Sequence, residues 1–235
     1  MSNPSSGWTV VDPEAPLLTY AYTFGQGHAH ALAVGGADGL LVVSPPCNVP
    51  EAAFTELERY GKVRVLVAPN AYHTLGIGPW SRRFPEAAVF APAQSIARVE
   101  KQSKVRGIRP LADASSLTGP KVELVDMPHY KTGEALVRVE TASGLVWYVT
   151  DVIFNMQQLP PGFPFNLVFK WTGSAPGFRL NAIAPLFMVK DKRALYRWMR
   201  GEVEKAPPRL VLTSHGAPMK LDPPGKQLLD ILPAG

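Results

Sequence analysis

Metal-ligating side chains follow four strand-like runs of this chain, each shortly after the run ends. They are His73 after residues 63–67, His129 after 122–127, Asp151 after 145–150 and His215 after 210–213. Active sites in layered α/β proteins gather at strand ends, because loops there present side chains from a rigid sheet. Structural zinc sites instead draw their ligands from close sequence pairs. The spacing therefore predicts one site, assembled by folding from distant parts of the chain.

The elements that must position these residues fall into two successions of strands and helices. Residues 17–24, 28–34 and 40–44 alternate with turn residues and predict an antiparallel meander, after which strands and helices alternate. The second half repeats strands and then a helix that Asp191 can cap, with Leu195, Met199 and Val203 on its inner face. This pattern predicts an α/β (α+β) protein with mixed sheets, its two halves packed as a four-layer αββα sandwich.

The predicted domain organisation is a flexible tail of residues 1–12 followed by a single domain of residues 13–235. Within it, residues 155–190 form a segment rich in Pro, Gly, Phe and Leu. Long irregular segments in compact domains are usually functional or mobile. The segment is therefore either a lid or wall over the site, or a loop that packs its own aromatic side chains on the core.

Composition narrows the class of protein and of partner. Hydrophobic residues make up 46% and charged residues 18% of the 235 residues, as in ordinary globular domains. The net charge of +5 comes without a run of basic and aromatic residues, so we expect no nucleic-acid partner. No stretch resembles a signal peptide or a membrane span, and the single Cys47 fits a reducing compartment. We expect a cytoplasmic protein without a membrane partner, whose ligand or substrate is a small molecule; composition leaves the oligomeric state open.

Four short stretches, in this order and spacing, resemble the metallo-β-lactamase fold superfamily. They are SPP at 44–46, APNAYHTLGIGPW at 68–80, FPEAAVFAP at 84–92 and SHG at 214–216. The similarity covers nearly the whole chain after about residue 15, and within the superfamily the chain resembles the branch catalogued as the domain of unknown function DUF4336. The resemblance implies an αββα sandwich whose two halves meet at a metal site.

The resemblance also implies which residues would hold metal. The superfamily hallmark HxHxDH falls on Ala68, Asn70, Tyr72 and His73, so three of its four ligand positions are replaced. Its later ligands correspond to His129, to Asp151 as the bridging carboxylate, and to His215. His73, His129, Asp151 and His215 are enough for one divalent ion and too few for the usual two, and mixed N/O ligands suit zinc, iron or manganese.

Each candidate ligand also has a structural explanation. His73 could cap the next helix, His129 could be a surface histidine, Asp151 could cap the following segment, and His215 could hold a turn. His28 and His30 form an HxH pair on one strand face, either hydrogen-bonded locally or replacing the ligands lost at 68 and 70. Cys47 is interpreted as an inert thiol.

Two functions of different class follow from this incomplete set of ligands. One is a hydrolase with a single metal ion that acts on an ester, amide or phosphoester, in which Asp151 is catalytic and Tyr72 and Asn70 orient substrate or stabilise an oxyanion. The other, which we favour, is a divergent or inactive hydrolase-like protein that keeps the fold and pocket, has lost its metal or binds it weakly, and binds a small apolar ligand or another protein. The metal content of the purified protein separates the two.

Overall fold

The computed structural model describes residues 7–160, 162 and 164–233. Its first half contains β1 (Thr9–Asp12), β2 (Leu17–Phe24), β3 (Gly27–Gly35), β4 (Leu40–Val43), α1 (Glu51–Glu58), β5 (Val63–Val67), α2 (Ile77–Arg83), β6 (Ala88–Ala91), α3 (Ile96–Ser103) and β7 (Arg109–Pro110). A 3₁₀ turn (Leu111–Ala114) and α4 (Ser115–Thr118) lead into the second half.

The second half contains β8 (Val122–Asp126), β9 (Ala135–Thr141), β10 (Gly144–Val149), β11 (Ile153–Met156), α5 (Phe165–Thr172), β12 (Gly177–Leu180), α6 (Ala184–Phe187), α7 (Lys192–Lys205), β13 (Leu210–Thr213), β14 (Met219–Lys220) and α8 (Lys226–Ile231). As predicted, Asp191 caps α7: its carboxylate accepts hydrogen bonds from the backbone N–H groups of Arg193 and Ala194. None of the helices in the described ranges combines the length and apolarity needed to cross a membrane.

Two mixed sheets form the centre of the molecule. The first has seven strands in the order β1 to β7, antiparallel as far as β4 and parallel from β4 onward. The second has five strands in the order β14-β13-β10-β9-β8, of which β10 and β13 are parallel and the other pairs antiparallel. Strands β11 and β12 form a separate two-stranded ribbon.

The apolar runs are continuous because the central strands are buried on both faces. In β4, Leu40 and Val42 contact the cluster that includes side chains of α1, α2 and α3, whereas Leu41 and Val43 pack in the cluster between the two sheets. In β10, Tyr148 joins this second cluster, and neighbouring residues of the strand join a third one beneath α7 and α8. Three apolar layers thus separate helices, sheet, sheet and helices, which confirms the predicted αββα sandwich.

The predicted tail and insert both contain regular structure. Within the predicted tail, residues 9–12 pair with β2 as strand β1, whereas residues 1–6 lie outside the described residues. The predicted irregular insert of 155–190 contains α5, β12 and α6, and its residues 161 and 163 also lie outside the described part, as do residues 234 and 235 at the end of the predicted domain. The insert packs on the second half through Phe169, whose ring stacks on Phe154 with centroids 5.7 Å apart.

Candidate metal site

Strand register brings two of the candidate ligands together. Strands β10 and β13 run parallel, with Val149 opposite Thr213. Asp151 and His215 each follow two residues later, so the same strand edge presents both side chains. The Nε2 atom of His215 lies 3.3 Å from Oδ1 of Asp151.

His73 reaches the same point from the first sheet, on the loop between β5 and α2. Its Nε2 atom lies 3.3 Å from Nε2 of His215 and 3.6 Å from Oδ2 of Asp151. Ligand atoms about 2.0–2.1 Å from zinc at tetrahedral angles lie about 3.4 Å from one another. The three side chains each offer one ligand atom, all within 4.8 Å of one another, and could hold a single divalent ion.

Hydrogen bonds at the far side of each imidazole fix its orientation. Nδ1 of His215 donates to the carbonyl of His28 at 3.0 Å, because a carbonyl oxygen can only accept. A neutral His215 then carries its lone pair on Nε2, which is the arrangement found in metal-ligating histidines. Nδ1 of His73 lies 2.8 Å from Oγ of Ser44, which in turn lies 3.0 Å from the hydroxyl of Tyr22.

The three side chains are largely shielded from solvent, and the charges of their neighbours shift the pKa values of Asp151 and His215. Side-chain exposure is 7% for His73, 14% for Asp151 and 11% for His215. Burial alone raises the pKa of Asp151, but the two imidazoles outweigh it and hold this pKa below the usual 3.8. Burial lowers the pKa of His215, but the hydrogen bond and charge of Asp151 and the His28 carbonyl raise it above 6.5. The pair is thus an ion pair whenever His215 is protonated.

The structure does not bring His129 into this cluster. His129 is exposed in a turn with φ of +66°, and its carbonyl accepts a hydrogen bond from the backbone N–H of Lys190 at 2.6 Å. The chain then turns back, and Glu134 reaches the site from this segment. Its Oε1 accepts from the backbone N–H of Asp151 at 3.0 Å, and burial followed by the nearby Asp151 charge raises the pKa of Glu134 to about 8.

Sequence reasoning missed Glu134, although one signal was available. It is a charged residue at the entrance of the apolar strand β9, and it is fully buried in the structure. Tyr22 carried no such signal, since it lies in an ordinary strand, and Ser44 stood out only as the first residue of the SPP stretch.

Asn70 and Tyr72, predicted to contact substrate, lie in different environments. Asn70 is fully buried, and its amide nitrogen lies 2.7 Å from Oδ2 of Asp151 and 2.8 Å from Oε2 of Glu134. Tyr72 is 43% exposed, and its ring packs against the guanidinium of Arg98 in α3. Asn70 therefore holds the cluster through hydrogen bonds on its buried side. Tyr72 instead lines a cavity of about 670 Å³ beside α2 and α3.

The remaining candidates have local roles. Nδ1 of His30 lies 3.3 Å from the carbonyl of Ser214, and burial mainly lowers the pKa of His30, while His28 is exposed and contributes only its carbonyl. Neither side chain is part of the cluster of three. The Cys47 thiol donates to the carbonyl of Thr23 at 3.5 Å, and burial raises its pKa, as expected of an unreactive thiol.

Comparison with solved structures agrees with the architecture. A metallo-β-lactamase from Pontibacter korlensis matches with a TM-score of 0.61 and 12% identity, over 96% of this chain and 97% of that one. A metallo-β-lactamase from Erythrobacter litoralis gives 0.57 and 14%, over 96% and 91%. A flavo di-iron protein mutant from Thermotoga maritima gives 0.63 and 11%, over 96% of this chain and 60% of that one.

These likenesses establish the metallo-β-lactamase fold, and identities this low establish the fold alone. No protein-family model matches the chain, and no curated protein matches it either. The fold and the triangle formed by His73, Asp151 and His215 are therefore the basis for any statement about function.

Proposed function

We propose that this protein binds one divalent metal ion through His73, Asp151 and His215 and hydrolyses an ester, amide or phosphoester. The observation that supports the proposal is the convergence of three side chains. The Nε2 atoms of His73 and His215 lie 3.3 Å apart, and they lie 3.6 Å from Oδ2 and 3.3 Å from Oδ1 of Asp151, respectively. Zinc, iron and manganese all accept two imidazoles and a carboxylate. A bound ion would supply Lewis-acid activation of water and of the substrate oxygen.

The residues around the triangle would serve orientation and exclusion of water. Ser44 and the His28 carbonyl hold the two imidazoles with their Nε2 atoms converging. The ring of Phe154 meets His215 edge-on at 5.4 Å and stacks on Phe169 of α5, which gives the site an apolar wall. This wall favours a small-molecule substrate with an apolar group near the scissile bond.

The contacts change the roles expected of three residues. Asn70 has no exposed surface, so we propose that it positions ligands and does not touch substrate. Tyr72 lies against Arg98, so we propose no catalytic role for it. His129 is exposed and separate from the cluster, and we propose water or substrate in place of a fourth protein ligand.

The cytoplasmic location, favoured by the single cysteine, and the DUF4336 resemblance stay hypotheses.

Metal titration tests this proposal directly. Metal-free wild-type protein should take up about one Zn²⁺ per chain. The His73→Ala and His215→Ala proteins should bind Zn²⁺ more than about 100-fold more weakly, a larger loss than is usual when a residue that only hydrogen-bonds to a ligand is changed. His129→Ala and His28→Ala are matched controls and should bind as wild type does. Hydrolysis of p-nitrophenyl acetate and bis-p-nitrophenyl phosphate should follow metal content. Zn²⁺ retained by both ligand variants would refute the placement of the site.

The second candidate function is a hydrolase-like protein that binds a ligand without catalysis. The observation that favours it is the low exposure of the three side chains, 7–14%, which leaves little room for water and substrate together. Under this candidate the purified protein holds no metal, even after incubation with Zn²⁺ at neutral pH. Uptake of one ion with no hydrolysis of either ester would support a metal-bound but inactive protein.

A further inference from the structure

A second carboxylate lies buried beneath the proposed metal ligands. Glu134 has no exposed surface and accepts hydrogen bonds from Asn70, from the Thr150 hydroxyl, and from the backbone N–H groups of Thr150 and Asp151. Burying an anionic group is costly unless donors or cations compensate it. Two carboxylates, those of Glu134 and Asp151, share this compartment, so something must lie between them.

The group between them is the side-chain amide of Asn70. Its Nδ2 atom lies 2.7 Å from Oδ2 of Asp151 and 2.8 Å from Oε2 of Glu134, with Thr150 Oγ1 farther away at 3.1 Å. An amide nitrogen carries only two hydrogens, and the two shortest contacts use both. One neutral amide thus bridges the two carboxyl groups and lies where both could otherwise hold a cation.

The other end of the same amide holds the loop that carries His73. Oδ1 of Asn70 accepts hydrogen bonds from the backbone N–H groups of Tyr72 at 2.8 Å and His73 at 3.0 Å. One side chain therefore fixes the positions of two of the three proposed ligands, one from each sheet. An isolated bridge between Asn70 and Glu134 ties the backbones together at the same place.

We propose that Asn70 and Glu134 are positioning residues that hold Asp151 through its Oδ2 atom and thereby limit the site to one metal ion. The inference rests on the proposed function. With Oδ2 engaged by the amide, Asp151 presents Oδ1 to His215, while Nε2 of His73 lies 3.6 Å from Oδ2. On the side toward Glu134, Oδ2 faces the amide of Asn70, whose N–H groups cannot ligate a metal.

Two near-isosteric variants separate the parts of this arrangement. Asn70→Asp keeps the acceptor for the Tyr72 and His73 N–H groups but replaces the bridging donors with a third carboxylate. We expect it to bind about two Co²⁺ ions per chain, because three converging carboxylates require a cation. Glu134→Gln points an amide at existing N–H donors, so its Co²⁺ affinity should fall about 10–100-fold. Glu140→Gln, on the exposed part of β9, is the matched control.

The measurements are Co²⁺ stoichiometry, Co²⁺ affinity by competition, and the visible absorption spectrum of the Co²⁺-loaded protein. The spectrum reports the ligand field and does not respond to a purely structural loss of stability. We expect a changed spectrum for Asn70→Asp and Glu134→Gln and an unchanged one for Glu140→Gln. If circular dichroism shows that one variant does not fold, the Co²⁺ stoichiometry, affinity and spectrum of the other variant test the inference.

The outcomes distinguish this inference from the proposed function. Wild-type protein that takes up no Co²⁺ overturns both. Wild-type protein that binds one ion, with both variants equal to it in stoichiometry, affinity and spectrum, overturns the inference and leaves the proposed function standing. Two ions bound by the wild type would also overturn the inference, because Asn70 would then not exclude the second.

Discussion

Asp151 and His215 carry opposite charges in a site that excludes most water. Their coupling lowers the pKa of the Asp151 carboxyl and raises that of the His215 imidazole. A metal ion competes with the proton for Nε2 of His215. Binding of metal should therefore strengthen as the pH rises through the pKa of this histidine.

The same coupling predicts how the stability of the metal-free protein depends on pH. The raised pKa of His215 stabilises the fold below pH 6.5, its unfolded value, and this stability is lost as the pH rises through the folded pKa. The lowered pKa of Asp151 adds stability that is present above pH 3.8 and lost as the pH falls. We expect Asp151→Asn to destabilise the metal-free protein most between about pH 4 and 6.5.

Urea unfolding across the pH range checks this prediction, with His215 followed by NMR. The pKa of His215 should fall in Asp151→Asn. Asp113→Asn, which changes an exposed carboxylate, should leave both the histidine pKa and the pH profile unaltered. A difference between wild type and Asp151→Asn that widened above pH 8 would contradict the assigned ion pair.

Helix α2 determines where the segment after β4 lies, and through it the orientation of His73. The indole Nε1 of the buried Trp80 donates to the carbonyl of Pro46 at 2.9 Å. A Cβ atom at Gly76 would lie 1.8 Å from the carbonyl oxygen of Pro45, so only glycine permits this approach. Ser44, which contacts Nδ1 of His73, begins the segment and has φ of +52°.

Gly76→Ala should therefore weaken both the fold and the metal site. We expect a loss of roughly 1–3 kcal/mol in the free energy of unfolding, the usual cost of overpacking. Zn²⁺ affinity should fall as well, because Ser44 would be displaced from His73. Gly201→Ala, in α7 with no atom within 4 Å of the added Cβ, is the control and should stabilise the helix by up to about 1 kcal/mol. Unchanged Zn²⁺ affinity in a destabilised Gly76→Ala protein would show that α2 does not control the orientation of His73.

At the scale of the whole molecule, the site joins two sheets that are also held together by apolar packing and a few hydrogen bonds. His73 follows β5 of the first sheet, and Asp151 and His215 follow β10 and β13 of the second. Backbone hydrogen bonds cross at the same edge, from Ala135 N to Pro69 O and from His30 N to Ser214 O, both 2.8 Å long. A metal bound there would link the halves in the folded state only.

Metal binding should consequently raise global stability. At a free Zn²⁺ concentration 100 times the dissociation constant, the free energy of unfolding should rise by about 2.7 kcal/mol. Thermal denaturation with and without Zn²⁺ measures this, and a chelator should reverse it. The His73→Ala protein should show no rise, so an equal shift in both proteins would indicate metal binding elsewhere.

The sequence by itself determined the layers and most of the strand-end chemistry. The repeated succession of strands and helices, together with the resemblance, predicted the αββα sandwich, and the apolar run Leu40–Val43 is typical of a strand buried on both faces. Asp151 and His215 follow their strands at once, so the pairing of parallel strands places them together with no further information.

Tertiary structure alone decided which residue of segment 127–134 faces the site. Its course is set by long-range hydrogen bonds, from Lys131 N to Met188 O and from Lys190 N to His129 O, which leave His129 outside. The bond from Ala135 N to Pro69 O holds the end of the same segment and brings Glu134 beneath Asp151. The sequence of a turn has no hydrophobic periodicity that would predict its course. The direction of this turn depends on hydrogen-bond partners more than 50 residues away in the chain.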